Sequence, residues 1–251
     1  LAYLDADIVF RLADDFNDMN ISTRMNTRIN EITRLDQAVR VTTEHGDELQ
    51  ADALFYALGR EPNYDLLELD KAGLVADDHG WVSINEHQQT SQAHIYIVGD
   101  LAGRPSLAST AMEQGRMAVR HAFLGEVGQS AALLPMAIYT IPELSYVGET
   151  ERQLLERKAD YARGYAPYAN TARGQIIGNE HGLLKLLVDR QSRLILGVHI
   201  IGESASELVH VGQMAMTCSA TVDVLAATVF NYPTLAQCYK MAALEVVMQL
   251  G

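Results

Sequence analysis

No two of the 18 glycines in this chain lie two positions apart. A dinucleotide fold seats its pyrophosphate on a Gly-x-Gly-x-x-Gly turn opening a helix, so no such turn exists in this sequence. Cysteine is equally scarce: Cys218 and Cys238 are the only two in 251 residues. Two thiols exclude a disulfide-built scaffold, and their spacing is not that of a Cys-x-x-Cys redox pair. Both are expected to be buried helix residues, in a reducing cytoplasm. No window approaches the roughly 18 apolar residues of a membrane span, so no membrane partner is expected. No basic segment leads into an apolar stretch at the start, as a signal peptide would. Basic residues are outnumbered, 19 Lys and Arg against 32 Asp and Glu, giving a net charge of -13. That balance argues against a nucleic-acid partner. The eight histidines are scattered without ligand spacing, so no metal site is expected. A Gly-x-Ser-x-Gly elbow, the mark of one hydrolase class, is also missing.

What is present is a chain rich enough in apolar residues, 48%, to bury one large core or two ordinary ones. It opens on LAYLDADIVF, without an initiator Met and already inside an amphipathic pattern. The expectation is the C-terminal part of a longer polypeptide. Leu4, Ile8, Leu12 and Phe16 form the stripe of a helix lying on a surface. Strands are expected at 21–25, 28–35 and 39–44. A buried strand is expected at 49–58, ending in the run ALFYAL. Pro62 breaks the pattern after Gly59 and Arg60. A short helix at 66–72, a strand at Trp81–Ile84 and a buried strand at 94–98 follow, then a helix at 107–124 closed by Gly125. Beyond 134 the character changes. Strands are expected at 136–147, 161–168, 183–189 and 194–201, with a capping box at Thr150 and Gln153. Helices at 204–218, 222–228 and 234–249 complete the chain. Strands followed by helices indicate an α+β domain.

The most informative segment is HIYIVGDLAGRPSLASTAMEQGR, residues 94–116. A strand delivers Gly99 and Asp100 to its C-terminal end, the edge where open α/β sheets bind ligands. Gly99 permits close backbone approach. Asp100 is an acceptor suited to a sugar or ribityl hydroxyl. Leu107 and Ala108 start a helix whose free N–H groups favour partial negative charge, such as a flavin carbonyl.

This string resembles the second flavin motif of the pyridine nucleotide–disulfide oxidoreductase family. ALFYALGREPN resembles the strand that closes that family's nicotinamide domain, AIYTIPELSYVG the start of its dimerisation domain, and FNYPTLAQ its C-terminal catalytic motif. The resemblance implies α/β remnants of two dinucleotide-binding domains followed by an α+β dimerisation domain. It divides the chain into 1–61, the end of an NAD(P)-binding domain, 62–133, a segment of an FAD-binding domain, and 134–251, through which a homodimer forms. It also implies FAD bound by Gly99, Asp100, Leu107 and Ala108, and NAD(P) near Gly59 and Arg60.

Disulfide reductases of the family place His-Pro-Thr and a following Glu in the C-terminal motif, where the His handles thiol protons. Here the aligned residues are Tyr232 and Gln237. Tyrosine, with an ordinary pKa near 10, is a poor base at neutral pH. The strings FNYPT, IYTIPE and GRPSLAS resemble instead the branch that moves hydride between NADPH and NAD+ through FAD. A second reading is a dihydrolipoamide dehydrogenase-like reductase. A third, of another class, is a dimerisation module only. With both phosphate loops expected upstream, the chain alone is expected to be inactive and to release its cofactors.

Overall fold

The computed structural model describes residues 1–125 and 133–251. These divide into two compact units, Leu1–Met25 with Leu133–Gly251, and Asn26–Ala132.

The first unit is built on a five-stranded antiparallel sheet. Its strands are β4 (Met136–Ile138), β5 (Leu144–Gly148), β6 (Tyr161–Pro167), β7 (Leu183–Asp189) and β8 (Ile195–Ile201), in the order β4-β5-β8-β7-β6. β7 reads LLKLLVD and is buried on both faces up to Asp189. Such continuous burial requires cover on each side, and the period of two assigns it. Leu184, Leu186 and Val188, with Val198 and Ile200 of β8, pack against α5 (Ala205–Thr217), α6 (Val222–Ala227) and α7 (Gln237–Leu250). Leu183 and Ile201 face the other way and meet Leu4, Ile8 and Leu12 of the N-terminal segment. The stripe in the sequence is therefore correctly read as a helix, α1 (Ala6–Asp18), and the surface under it is the C-terminal sheet.

Two glycines set the helix positions. At Gly164 a Cβ would collide with the Ala242 carbonyl, so α7 lies directly on β6. At Gly212 the backbone N–H donates to Tyr239 Oη at 3.1 Å, and that hydroxyl donates to the Leu208 carbonyl at 2.7 Å, joining α5 to α7. The capping box is present: Thr150 N donates to Gln153 Oε1 at 2.8 Å and opens α3 (Glu151–Glu156). α4 (Ala172–Ile177) precedes β7.

The second unit carries an antiparallel meander, β1 (Ile29–Arg34), β2 (Val39–Thr43) and β3 (Glu48–Ala51), and one long helix, α2 (Ala108–Leu124). Gly125, left-handed at φ 65°, ends α2 as expected. Four strand expectations fail, one at the end of the first unit's N-terminal segment and three in the second unit. Residues 21–25 form no strand. The 49–58 strand stops at Ala51, leaving Phe55 90% exposed and Leu58 74% exposed. Around Trp81 and within 94–98 only single bridges form, Ala76 with Val82 and Gln89 with Tyr96. The shared reason is pairing. An apolar run becomes a buried strand only beside neighbours that take up its backbone hydrogen bonds, and among the described residues no strand lies beside these runs. The expected helix at 66–72 shrinks to a single 3₁₀ turn, Leu69–Ala72.

The contact units do not follow the 1–61, 62–133 and 134–251 division, which concerns the family's domains. Of the 62–133 segment, residues 126–132 lie outside the described residues. Cys238 is buried as expected, whereas Cys218 is exposed at the C-terminal cap of α5, where the helix has ended.

Candidate functional site

In the second unit the structure brings together residues that the sequence separates by about forty positions. Gly99 is left-handed at φ 71°, and a Cβ there would press on Ala111 of α2 at 3.2 Å. Glycine is thus required both by the turn and by its contact with the helix. Its N–H donates to Gln114 Oε1 at 2.7 Å. Residues Gly99–Ala102 make a 3₁₀ turn that presents Asp100 half-exposed. Arg60 Nη2 lies 3.6 Å from Asp100 Oδ2 and donates to the Ser106 carbonyl at 3.2 Å. Arg60 therefore braces the loop that joins Asp100 to the start of α2. Leu107 is extended and offers no side-chain cap, so the first N–H groups of α2, from Ala108 on, are not capped by a side chain. On the exposed side of the same helix, the Arg116 guanidinium holds the Glu113 carboxyl below its ordinary range.

Gln114 was not singled out by the sequence reading. It sits 15 residues from its partner, and only the return of α2 along the turn makes the pair. Gly59 and Arg60 were assigned to a different nucleotide from Gly99 and Asp100. Arg60 nonetheless lies beside Asp100.

In the first unit the C-terminal motif runs from α6 to α7. Leu235 and Cys238 are buried and pin it to the core. Thr234 Oγ1 donates to the Asn231 carbonyl at 2.7 Å, and Lys240 Nζ donates to the Thr228 carbonyl at 3.0 Å. Tyr232 is 72% exposed, and Gln237 is the first residue of α7. Tyr139, Ile141 and Val229 are likewise exposed on this unit.

A buried charge cluster was also invisible in the sequence. Lys185 Nζ donates to Asp5 Oδ1 and Asp7 Oδ2 at 2.8 Å each, and to Glu151 Oε2 at 2.6 Å. The three carboxylates come close enough to hold a metal ion, but the ammonium occupies the space between them. Burial acts to lower the Lys185 pKa, and the carboxylates outweigh it and raise the pKa above its ordinary value. Its cross-strand neighbour His199 is fully buried, and burial holds its pKa below the ordinary value.

The antiparallel sheet packed with helices in the first unit and the glycine–aspartate turn leading into a long helix in the second are each features of an α/β oxidoreductase with its own dimerisation domain. The chain belongs to the pyridine nucleotide-disulphide oxidoreductase family, which matches residues 1–115, with the family's dimerisation domain matching residues 134–243. Within it, the whole chain is 42% identical to the soluble pyridine nucleotide transhydrogenase of Sodalis glossinidius, covering 55% of that protein. It is 40% identical to the soluble pyridine nucleotide transhydrogenase of Mycobacterium tuberculosis, covering 53%. Among solved structures it resembles the HOCl-induced flavoprotein disulfide reductase RclA from Escherichia coli, with a TM-score of 0.92 at 26% identity over 98% of this chain and 57% of that one. It also resembles LpdA from Mycobacterium tuberculosis, with a TM-score of 0.87 at 28% identity over 96% of this chain and 53% of that one. The chain thus spans about half the length of the curated relatives it matches. Among the described residues no helix is long and apolar enough to cross a membrane.

Proposed function

We propose that this chain is part of a flavoprotein that transfers hydride between NADPH and NAD+ through FAD. The observation that carries the reading is Tyr232, exposed at the position where the family's disulfide reductases place a His. Hydride transfer between nucleotides requires stacking geometry and a tuned flavin, and no thiol base. The soluble transhydrogenases at 40–42% identity support the same choice over the disulfide reductases at 26%.

The residues present suit one end of a flavin. Asp100, braced by Arg60, would accept from a ribityl hydroxyl. The uncapped start of α2 at Leu107 and Ala108 would face a ring carbonyl with its positive end. Gly59 and Arg60 stand close enough to contribute to a nucleotide edge. Bound FAD would supply the hydride relay, and these residues would orient it. The sequence holds no pyrophosphate turn, so the 251-residue chain alone would release FAD and be inactive. The first unit would pair two subunits through its exposed Tyr139, Ile141, Val229 and Tyr232.

The test uses a polypeptide of the relatives' full length. It should pass hydride from NADPH to an NAD+ analogue and leave lipoamide and glutathione disulfide untouched. Disulfide reduction at a comparable rate would overturn the assignment in favour of the reductases.

A further inference from the structure

The turn that carries Asp100 is held from three directions. Gln114 of α2 takes the Gly99 N–H, and Arg60 reaches Asp100 and the Ser106 carbonyl. The third direction is the segment around Trp81, the one tryptophan in the chain. The Val82 N–H donates to the Leu101 carbonyl at 3.0 Å, and Leu101 and Ala102 pack against the small core of Leu74, Val82 and Ile97. The Trp81 indole lies against Gly103, where a Cβ would stand 3.7 Å from the ring. Gly103 N–H in turn donates to the Asp100 carbonyl at 3.4 Å. The next residue, Arg104, is exposed and sets its guanidinium 5.9 Å from the centroid of the same ring, within the range of cation–π attraction. Among the described residues Arg104 forms no ion pair, so the ring is what holds its charged end.

The indole is itself fixed. Asp77 Oδ1 accepts from the His79 and Trp81 N–H groups at 2.8 and 2.9 Å, which closes a tight turn through Gly80. Gly80 is left-handed at φ 78°, and a Cβ there would collide with the Tyr64 ring. The His79 ring lies 4.9 Å from the Trp81 ring on the same turn.

We propose that Trp81 and Arg104 form a latch that positions the loop from Gly99 to Ala108 for the flavin. The inference rests on the flavin reading of that loop. Both are positioning residues. They act through Gly103 on Asp100 and on the start of α2. A loop with a glycine at 103 would otherwise sample many backbone states, and the cofactor would have to order it on binding. The indole and the guanidinium remove that freedom beforehand.

Hydrogen exchange of the Gly99 amide reads the latch in the 251-residue chain, because its acceptor, Gln114, lies on α2 and not beside Trp81. Trp81→Leu should speed that exchange about tenfold, and Trp81→Phe, which keeps an aromatic face, should bring it back to within about threefold of the original. Should Trp81→Leu fail to fold, Arg104→Met at its exposed position should speed the same amide about threefold. In the longer polypeptide the same variants should weaken FAD binding by similar factors, read by flavin fluorescence. Unchanged Gly99 exchange in a folded Trp81→Leu or Arg104→Met variant would overturn the proposal. So would faster exchange with FAD affinity unchanged, because the latch would then hold a loop on which the cofactor does not depend. A wild-type longer polypeptide that takes up no FAD would overturn the flavin reading instead, and Gly99 exchange that depends on Trp81 would still establish the latch.

Discussion

Lys185 Nζ lies 2.8 Å from Asp5 Oδ1, 180 residues earlier in the chain. Asp5 also caps α1 through the Asp7 N–H at 3.2 Å and accepts from the Glu151 N–H at the start of α3 at 3.1 Å. One carboxylate therefore ties two helix starts to the middle of the sheet, and the ammonium offsets part of the charge that collects there. Tyr165 Oη donates to Asp7 at 2.8 Å and Tyr161 Oη to Glu151 at 2.7 Å, which completes the cluster.

Removing the ammonium takes away the cation that Asp5, Asp7 and Glu151 share and leaves Arg163, whose Nη1 donates to Glu151 Oε1 at 2.6 Å. Lys185→Met is expected to cost about 3–5 kcal/mol, the range for breaking a buried ion pair from one side. Urea unfolding of the chain measures it. A loss below about 1 kcal/mol, the range of exposed pairs, would show the cluster to be solvated.

The same cluster predicts how stability depends on pH. Burial acts to raise the carboxyls of Asp7 and Glu151, but Lys185, together with the Tyr165 or Tyr161 hydroxyl and Arg163, outweighs it and holds them below their ordinary 3.8 and 4.5. Their contribution is full above those values and is lost as pH falls through the lowered folded ones. His199 is held below its ordinary 6.5 by burial, with its Nε2–H donated to the Glu149 carbonyl at 2.9 Å. The unfolded imidazole takes its proton first, so stability starts to fall as pH drops through 6.5. Unfolding free energy plotted against pH should show both declines. His199→Gln should flatten the upper one and leave the lower one.

Two glycines should respond in opposite directions. Gly164→Ala forces a Cβ into the Ala242 carbonyl and Val246, and is expected to cost roughly 1–3 kcal/mol as α7 is pushed off β6. Gly115, inside α2, has nothing within 4 Å of an added Cβ. Gly115→Ala should stabilise the isolated chain by about 0.5–1 kcal/mol through helix propensity. Thermal unfolding of both variants distinguishes packing from propensity.

Gln114→Leu removes the acceptor for the Gly99 N–H and frees the turn that carries Asp100. In the longer polypeptide this should weaken FAD binding about tenfold, the worth of one well-placed hydrogen bond. Fluorescence titration of the apoprotein reads it. Unchanged affinity would leave Gln114 a packing residue.

Tyr232→Phe should lower hydride transfer far less than the roughly 10²–10⁴-fold that loss of an acid–base group produces. Steady-state kinetics with NADPH and an NAD+ analogue provide the measurement. A loss within that range would return Tyr232 to the chemistry.

Legibility in the sequence followed from how local each signal was. The strands at 161–168, 183–189 and 194–201, the helices at 204–218 and 222–228, the capping box at Thr150 and the glycine stop at Gly125 were read within a residue or two, because period and cap chemistry act over one turn or one strand, whereas the single strand expected at 136–147 is the hairpin of β4 and β5 and the last helix starts three residues later, at Gln237. The runs at 49–58 and 94–98 were misread, because apolar character reports a preference for burial and says nothing of whether a neighbouring strand exists. Gln114 and Lys185 were missed because their partners lie 15 and 180 residues away.

By itself, then, the sequence determined the elements of the C-terminal unit, the Gly99-Asp100 motif, the family, and the tyrosine in place of a histidine at 232. Only the tertiary structure decided that α1 rests on the C-terminal sheet, that Lys185 pairs with Asp5, Asp7 and Glu151, that Arg60 reaches Asp100, and that Asp15 Oδ2 is buried without a donor. The division has a physical cause. Hydrogen-bond periodicity and caps are set by residues a few positions apart, whereas buried charge must be neutralised by whatever the fold brings within about 3 Å.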